Sequence, residues 1–150
     1  MGEMIRVLIV VTVIAVNFIA MTELSTFSRS AKYIKEDMEI AVHDAALQLN
    51  TAELAQGQIV FNEGKALDTF HETFQLNSGM NEGDYEVIEF IVMDDSNSIF
   101  PEIYVHPVYG FEDIVMGPSV IALVESSSDQ YFKTRSNTIR RVASYTYTFN

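Results

Sequence analysis

The sequence predicts an α+β chain: a long N-terminal α-helix, hydrophobic first and amphipathic after, packed on a small antiparallel β-sheet. Three observations carry this. Between Gly2 and Gly57 lie 54 residues with neither glycine nor proline. The first third of that stretch is almost wholly apolar, and the rest repeats apolar residues at three- and four-residue steps, the helical period. After Gly57 come short runs rich in β-branched and aromatic residues, parted by Gly, Pro, Asn, Asp and Ser, as strands and turns require. At 150 residues there is room for one domain plus an anchor: 1–24 as a transmembrane or filament-core helix, 25–56 as its amphipathic continuation, and 57–150 as an acidic β-rich head.

Val7 to Met21 reads VLIVVTVIAVNFIAM, with Thr12 and Asn17 its only polar members. Met4, Ile5 and Arg6 extend the run to eighteen residues, near the lower limit for spanning a bilayer. Arg6 can snorkel to the interface and does not shorten the span. A buried helix of a soluble domain would show a polar face, and Val7 to Val16 shows almost none. A cleaved secretory signal is the other reading of such a segment. Phe18-Ile19-Ala20-Met21 places bulky side chains where its peptidase needs small ones, so a retained anchor or assembly helix is expected. Arg6 in place of Ser or Thr excludes a myristoylation signal at Gly2. Arg6 flanks one side of the span; Arg29, Lys32 and Lys35, mixed with Glu23, Glu36 and Asp37, flank the other. Counted naively, the positive-inside bias puts the head in the cytoplasm, but acidic residues are mixed with the basic ones on that side and the sequence leaves the orientation open.

The following stretch, SRSAKYIKEDMEIAVHDAALQLNTAELAQ, places Tyr33 or Ile34, Met38, Ala41, Ala45, Leu49 and Ala52 on one helical face. Lys32/Glu36 and Lys35/Glu39 mark the solvated side. Ser25, Thr26 and Ser28 are able to cap a second helix, yet a continuous or gently kinked spine is the simpler expectation. Such a helix reaches about 80 Å. A bilayer uses only about twenty of its residues, so the remainder packs on its own head or on neighbours.

In the head, Gln58–Phe61 is a short strand candidate, and Lys65–Leu76 reads as an amphipathic helix with Leu67, Phe70, Phe74 and Leu76 apolar. Asn77-Ser78-Gly79 ends it with a glycine cap. Tyr85–Met93 is the best strand, followed by the turn Asp94-Asp95-Ser96-Asn97-Ser98. Ile103–Val105, between Pro101 and Pro107, and Ser119–Glu125 are further strands. Thr138–Phe149 closes the series with a clear period of two. The expected sheet has four or five strands and lies on the C-terminal half of the long helix.

The formal net charge is −12 with nine basic residues, which disfavours nucleic acid and anionic lipid surfaces, since phosphate neutralisation holds such complexes together. Without cysteine there are no disulfides, thiolate sites or iron–sulfur clusters. From Lys65 to Lys133 there is no Lys or Arg but thirteen Asp or Glu, and then Lys133, Arg135, Arg140 and Arg141 fall within nine positions. That basic cluster either offsets the acidic surface of its own head or pairs with a neighbouring subunit and sets register. His43, His71 and His106 stand apart; Glu39 and His43 have a helical metal-sharing spacing without an HExxH partner set. Asp94–Ser98 lacks the central glycine and distal glutamate of an EF-hand. No phosphate loop or nucleophile elbow is present. The expectation is therefore no catalytic residue, no metal and no cofactor.

An unbroken apolar-to-amphipathic N-terminal helix followed by a small β-rich head resembles the type IV pilin superfamily. The segment AVNFIAMTELSTFSRSAKYIKEDMEIAVHDAALQL is most similar to TadE-like, tight-adherence pilins and pseudopilins. The resemblance covers roughly the first fifty-five residues. It implies a pilin-like structural subunit that sits in the membrane before assembly, is handled by a pilus assembly machinery, and becomes a helical homo-oligomer on the cell surface. Its helices would form the core through Glu3, Arg6, Val7, Ile9, Val13, Asn17 and Phe18, and its head the wall. In that family a glutamate near the mature N-terminus pairs with a neighbour's terminal amine, and Glu3 is the candidate here. A peptidase cut after Gly2 would make Glu3 the first residue rather than the fifth, a departure from the pattern. Glu3 is also one turn from Arg6, so the two can pair within a helix or between neighbours. Asn17 can hydrogen-bond between helices in an apolar bundle. The rival reading is a membrane-anchored sensor or assembly factor whose head binds a ligand or protein.

Overall fold

A computed structural model describes residues 2–127 and 138–148. The helix α1 runs from Gly2 to Ala46, 45 residues without a break, about 67 Å long. It is followed by the single-turn α2, Thr51–Leu54, and by α3, Glu63–Ser78. Five strands complete the chain: β1 Tyr85–Met93, β2 Glu102–Val105, β3 Glu112–Val115, β4 Ser119–Ser127 and β5 Thr138–Thr146. They form an antiparallel three-stranded sheet in the order β1-β4-β5 and a separate hairpin, β2-β3. The architecture is the expected α+β one, a long helix on a small antiparallel sheet.

The spine ends about ten residues earlier than the Gly57 limit, although nothing in 47–56 forbids a helix. The backbone there has a competing partner. The Asn50 N–H donates to Val60 O at 2.7 Å and Asn62 N–H to Gln48 O at 2.7 Å, around a bridge between Leu49 and Phe61. Asn50 then caps α2, its side-chain oxygen accepting from Ala52 N at 3.1 Å, the role for which asparagine is suited. Ala52 is consequently exposed and does not continue the buried face. The expected strand Gln58–Phe61 is reduced to that one bridge. Its remaining donors turn to side chains: Ile59 N–H donates to Asp95 Oδ2 at 2.7 Å and Phe61 N–H to Asp94 Oδ2 at 3.0 Å.

α3 begins at Asn62, whose Oδ1 accepts from Lys65 N, and stops at Gly79 with φ 70°, a left-handed cap that glycine adopts freely. It buries Ala66, Phe70 and Phe74, while Leu76 is exposed. The α1 face that meets the head is Ala31, Ile34, Met38, Ala41, Val42, Ala45 and Ala46. Ile34, not Tyr33, takes the inner position. Alanines let the helix approach α3 and the sheet closely, and the stacked Phe70 and Phe74 rings, 5.8 Å apart, fill the space between.

β4 is central and buried on both faces. Val120, Ala122 and Val124 face the helices, with Ile139 and Ala143 of β5. Ile121 faces the other way and packs with Met93, Val115, Ile91, Phe100, Tyr104, Phe111 and Val142. The molecule thus has three layers: α1 and α3, the three-stranded sheet, and the β2-β3 hairpin over the far face. β3 has no strong sequence signal; its four residues are Glu-Asp-Ile-Val, and it exists because the hairpin returns the chain to β4.

Candidate anchoring and assembly surface

Below the head, α1 is bare. From Met4 to Leu24 fourteen large apolar side chains are exposed, 37% to 79% by residue. They lie all around the helix: Val7, Ile9, Val13 and Phe18 of the predicted core set are 61%, 57%, 54% and 72% exposed. This helix is long and apolar enough to cross a membrane, and its most apolar window has no residue buried in the protein. Met4 to Leu24 spans about 31 Å, the thickness of a hydrocarbon layer.

Four polar side chains on or next to this surface bond to the backbone of their own helix. Thr12 Oγ1 donates to Leu8 O at 2.8 Å, Asn17 Nδ2 to Val13 O at 2.7 Å, Thr22 Oγ1 to Phe18 O at 2.9 Å and Thr26 Oγ1 to Thr22 O at 2.9 Å. Each removes donors that would otherwise face an apolar medium unpaired. At the tip, Arg6 Nη1 lies 3.4 Å from Glu3 Oε1 in an exposed intrahelical pair, so the structure joins these two within one helix.

Arg140 and Arg141 are engaged inside the head. The Arg140 guanidinium donates to the Glu125 carboxylate on the neighbouring strand and lies 4.9 Å from the centre of the Tyr109 ring. The hydrogen bond to Glu125 is the main cause holding its pKa above the ordinary arginine range. Arg141 Nε donates to Ala31 O at 3.2 Å, tying β5 to α1. Lys133 and Arg135 lie outside the described residues.

Two features were not singled out from the sequence. One is a polar cluster under the hairpin. Tyr104 Oη donates to Glu89, and His106 Nε2 sits 3.1 Å from Glu89 Oε2. His106 Nδ1 accepts from Val108 N and Tyr109 N, both at 3.1 Å. Those two donors fix the remaining ring proton on Nε2, where it points at Glu89. Burial, then the bond and charge of Glu89, raise the Tyr104 pKa. The residues lining the cluster leave no room for a water-sized guest, so it braces the hairpin. The other is the outer face of that hairpin, where Ile103, Val105, Ile114 and Met116 are 53% to 70% exposed. Alternation in Glu102–Val105 was a usable signal for it; Glu112–Val115 is too short to read alone.

Among the described residues no three of His, Asp and Glu gather as a metal-binding set. No protein-family model, no curated protein and no solved structure matches this chain.

Proposed function

We propose that the chain is a membrane-inserted structural subunit of a pilus-like helical surface filament. The apolar segment of α1 sits in the bilayer before assembly, passes through a pilus assembly machinery and then packs with its copies as the filament core, the heads forming the outer wall. The observation that carries this reading is the apolar surface from Met4 to Leu24, exposed on every side of a helix that runs unbroken into the head. Removing it from water is worth on the order of 20 kcal/mol. Lipid on all sides, or helices on all sides, supplies that shelter; a single groove on one partner does not. The uninterrupted register from Gly2 to Ala46 makes anchor and head one rod, which a staggered bundle of copies buries along its length.

Negative-stain microscopy of sheared cell surface or purified protein tests this. Fibres of constant width are expected. Val13→Asp and Ile9→Asp each place a charge in the apolar segment, at about 2.5–3.5 kcal/mol for the helix centre, and should abolish fibres while far-UV circular dichroism shows the head still folded. Persistence of fibres in both variants refutes the apolar helix as their core. Dispersed monomers in detergent under every condition favour the reading as a single-pass anchored sensor or assembly factor.

A further inference from the structure

Two exposed surfaces of this chain complement each other. The first is the outer face of the β2-β3 hairpin. Ile103 and Ile114 are cross-strand partners at 62% and 60% exposure, flanked by Val105 and Met116, with Glu112 opposite Val105. Glu112 makes no ion pair among the described residues. The second lies on α1, outside the face that meets the head. Arg29, Tyr33, Glu36 and Ile40 follow one another at steps of four, three and four, all exposed, with Tyr33 at 59% and Ile40 at 47%, and Lys32 pairs with Glu36 at 3.5 Å and offsets its charge. Residues at those steps share a helical face. Arg29 likewise has no ion-pair partner among the described residues.

Both surfaces belong to the part of the chain beyond the apolar segment. β5 runs alongside α1, with Arg141 bonded to Ala31 and Tyr145 stacked edge-on at 4.7 Å from His43. Ser144, between them, donates to Asp113 of the hairpin at 3.3 Å. The hairpin therefore lies over the stretch of β5 that packs on the C-terminal part of α1, on the far side of the sheet. If copies stand upright in one membrane, a sideways meeting sets the hairpin of one beside the stalk of the next.

We propose that the outer face of the β2-β3 hairpin docks on the Arg29–Tyr33–Ile40 face of α1 in a second copy of this chain, with Glu112 meeting Arg29. This rests on the self-assembly reading above and names its head contact. The charges choose this arrangement over hairpin against hairpin, which would set Glu112 against its own copy. The contact joins two different surfaces, so it propagates into an open array instead of closing as a dimer. The apolar area on the hairpin is on the order of 500 Å², small for a free complex. Confinement by the anchor raises the local concentration enough for a small contact to act.

The native chain has no cysteine, which makes cross-linking clean. Ile114→Cys, Tyr33→Cys and the double variant, each as the full chain in membranes, are treated with a short bis-maleimide and run on a denaturing gel. The double variant should give a ladder of dimers, trimers and higher species, and Ile114→Cys alone should stay monomeric. Glu112→Arg in the double-cysteine background should cut the ladder at least about fivefold, and adding Arg29→Glu should restore it. Since all these positions are exposed, loss of folding does not confound the result. Dimers from Ile114→Cys alone overturn the proposal, because the hairpin then faces itself. Absence of the ladder while fibres still form overturns this contact and leaves self-assembly standing. Absence of both ladder and fibres overturns the contact together with the reading it rests on.

Discussion

Asp94 offers the sharpest test of how the head is held together. Its side chain is buried and accepts three hydrogen bonds. Oδ2 accepts from Phe61 N at 3.0 Å, while Oδ1 accepts from Ser96 N at 2.9 Å and from Ser96 Oγ at 2.6 Å. One carboxylate thus shapes the turn after β1 and clamps the segment that leads into α3. Asp94→Ala removes all three bonds and leaves the N–H of Phe61, whose bond to Asp94 is buried, without a partner. A stranded buried donor costs about 1–3 kcal/mol, and a bond to a charged acceptor is worth about 1.5–3 kcal/mol. The partly solvated Ser96 groups recover water and count for little. The expected loss is therefore about 3 kcal/mol. Asp95→Ala is the control: it removes one bond, from Ile59 N at 2.7 Å, but Asp95 is exposed and water replaces it, so about 1 kcal/mol is expected. Urea unfolding of the full chain in mild detergent, followed by tyrosine fluorescence, measures both. With m about 2 kcal/mol/M, the Asp94→Ala midpoint should fall by about 1.5 M. A shift no larger than that of Asp95→Ala would show that the clamp is not what fastens this segment.

Two other outcomes follow from the same structure. Phe70→Ala empties a fully buried site between α1, α3 and Phe90 of β1, so it should cost about 3–5 kcal/mol in the same assay. Asp37 has its pKa raised, first by desolvation and then by the Glu36 charge. The folded state then binds its proton more readily than the unfolded state, and stability falls as pH rises through the carboxylate range. Asp37→Asn should be more stable than the parent at neutral pH by a few tenths of a kcal/mol, because the group is largely solvated. That difference should vanish in acid, where both forms are neutral, as paired urea titrations would show.

Much of the fold was legible because its elements are long or strongly periodic. Tyr85–Met93 emerges with its expected bounds, since YEVIEFIVM has strand composition and lies between turn residues. Gly79 ends α3 through the expected glycine cap, whereas the helix starts at Glu63, capped by Asn62, two residues before the expected Lys65. The salt bridges Lys32–Glu36 and Lys35–Glu39, both 3.5 Å, follow from helical spacing alone. Leu76 shares the apolar pattern of α3 yet is exposed, since a hydrophobic residue near a helix end need not face inward.

What the sequence determined by itself is the helix of α1 over its apolar length, the identity of the strands with strong alternation, and the acidic character of the head. Those are properties of neighbours a few residues apart, set by backbone period, side-chain shape and capping. Only the tertiary structure decided where α1 ends, because its rival at residues 48–50 is the backbone of residues 60–62, ten to fourteen positions away. Only it placed Arg140 on Glu125 and Arg141 on the Ala31 carbonyl, and stacked the hairpin over the sheet with Glu89, Tyr104 and His106 between them. Such contacts depend on which surfaces the packed layers bring together, and the free energy that selects among them is spread over the whole core.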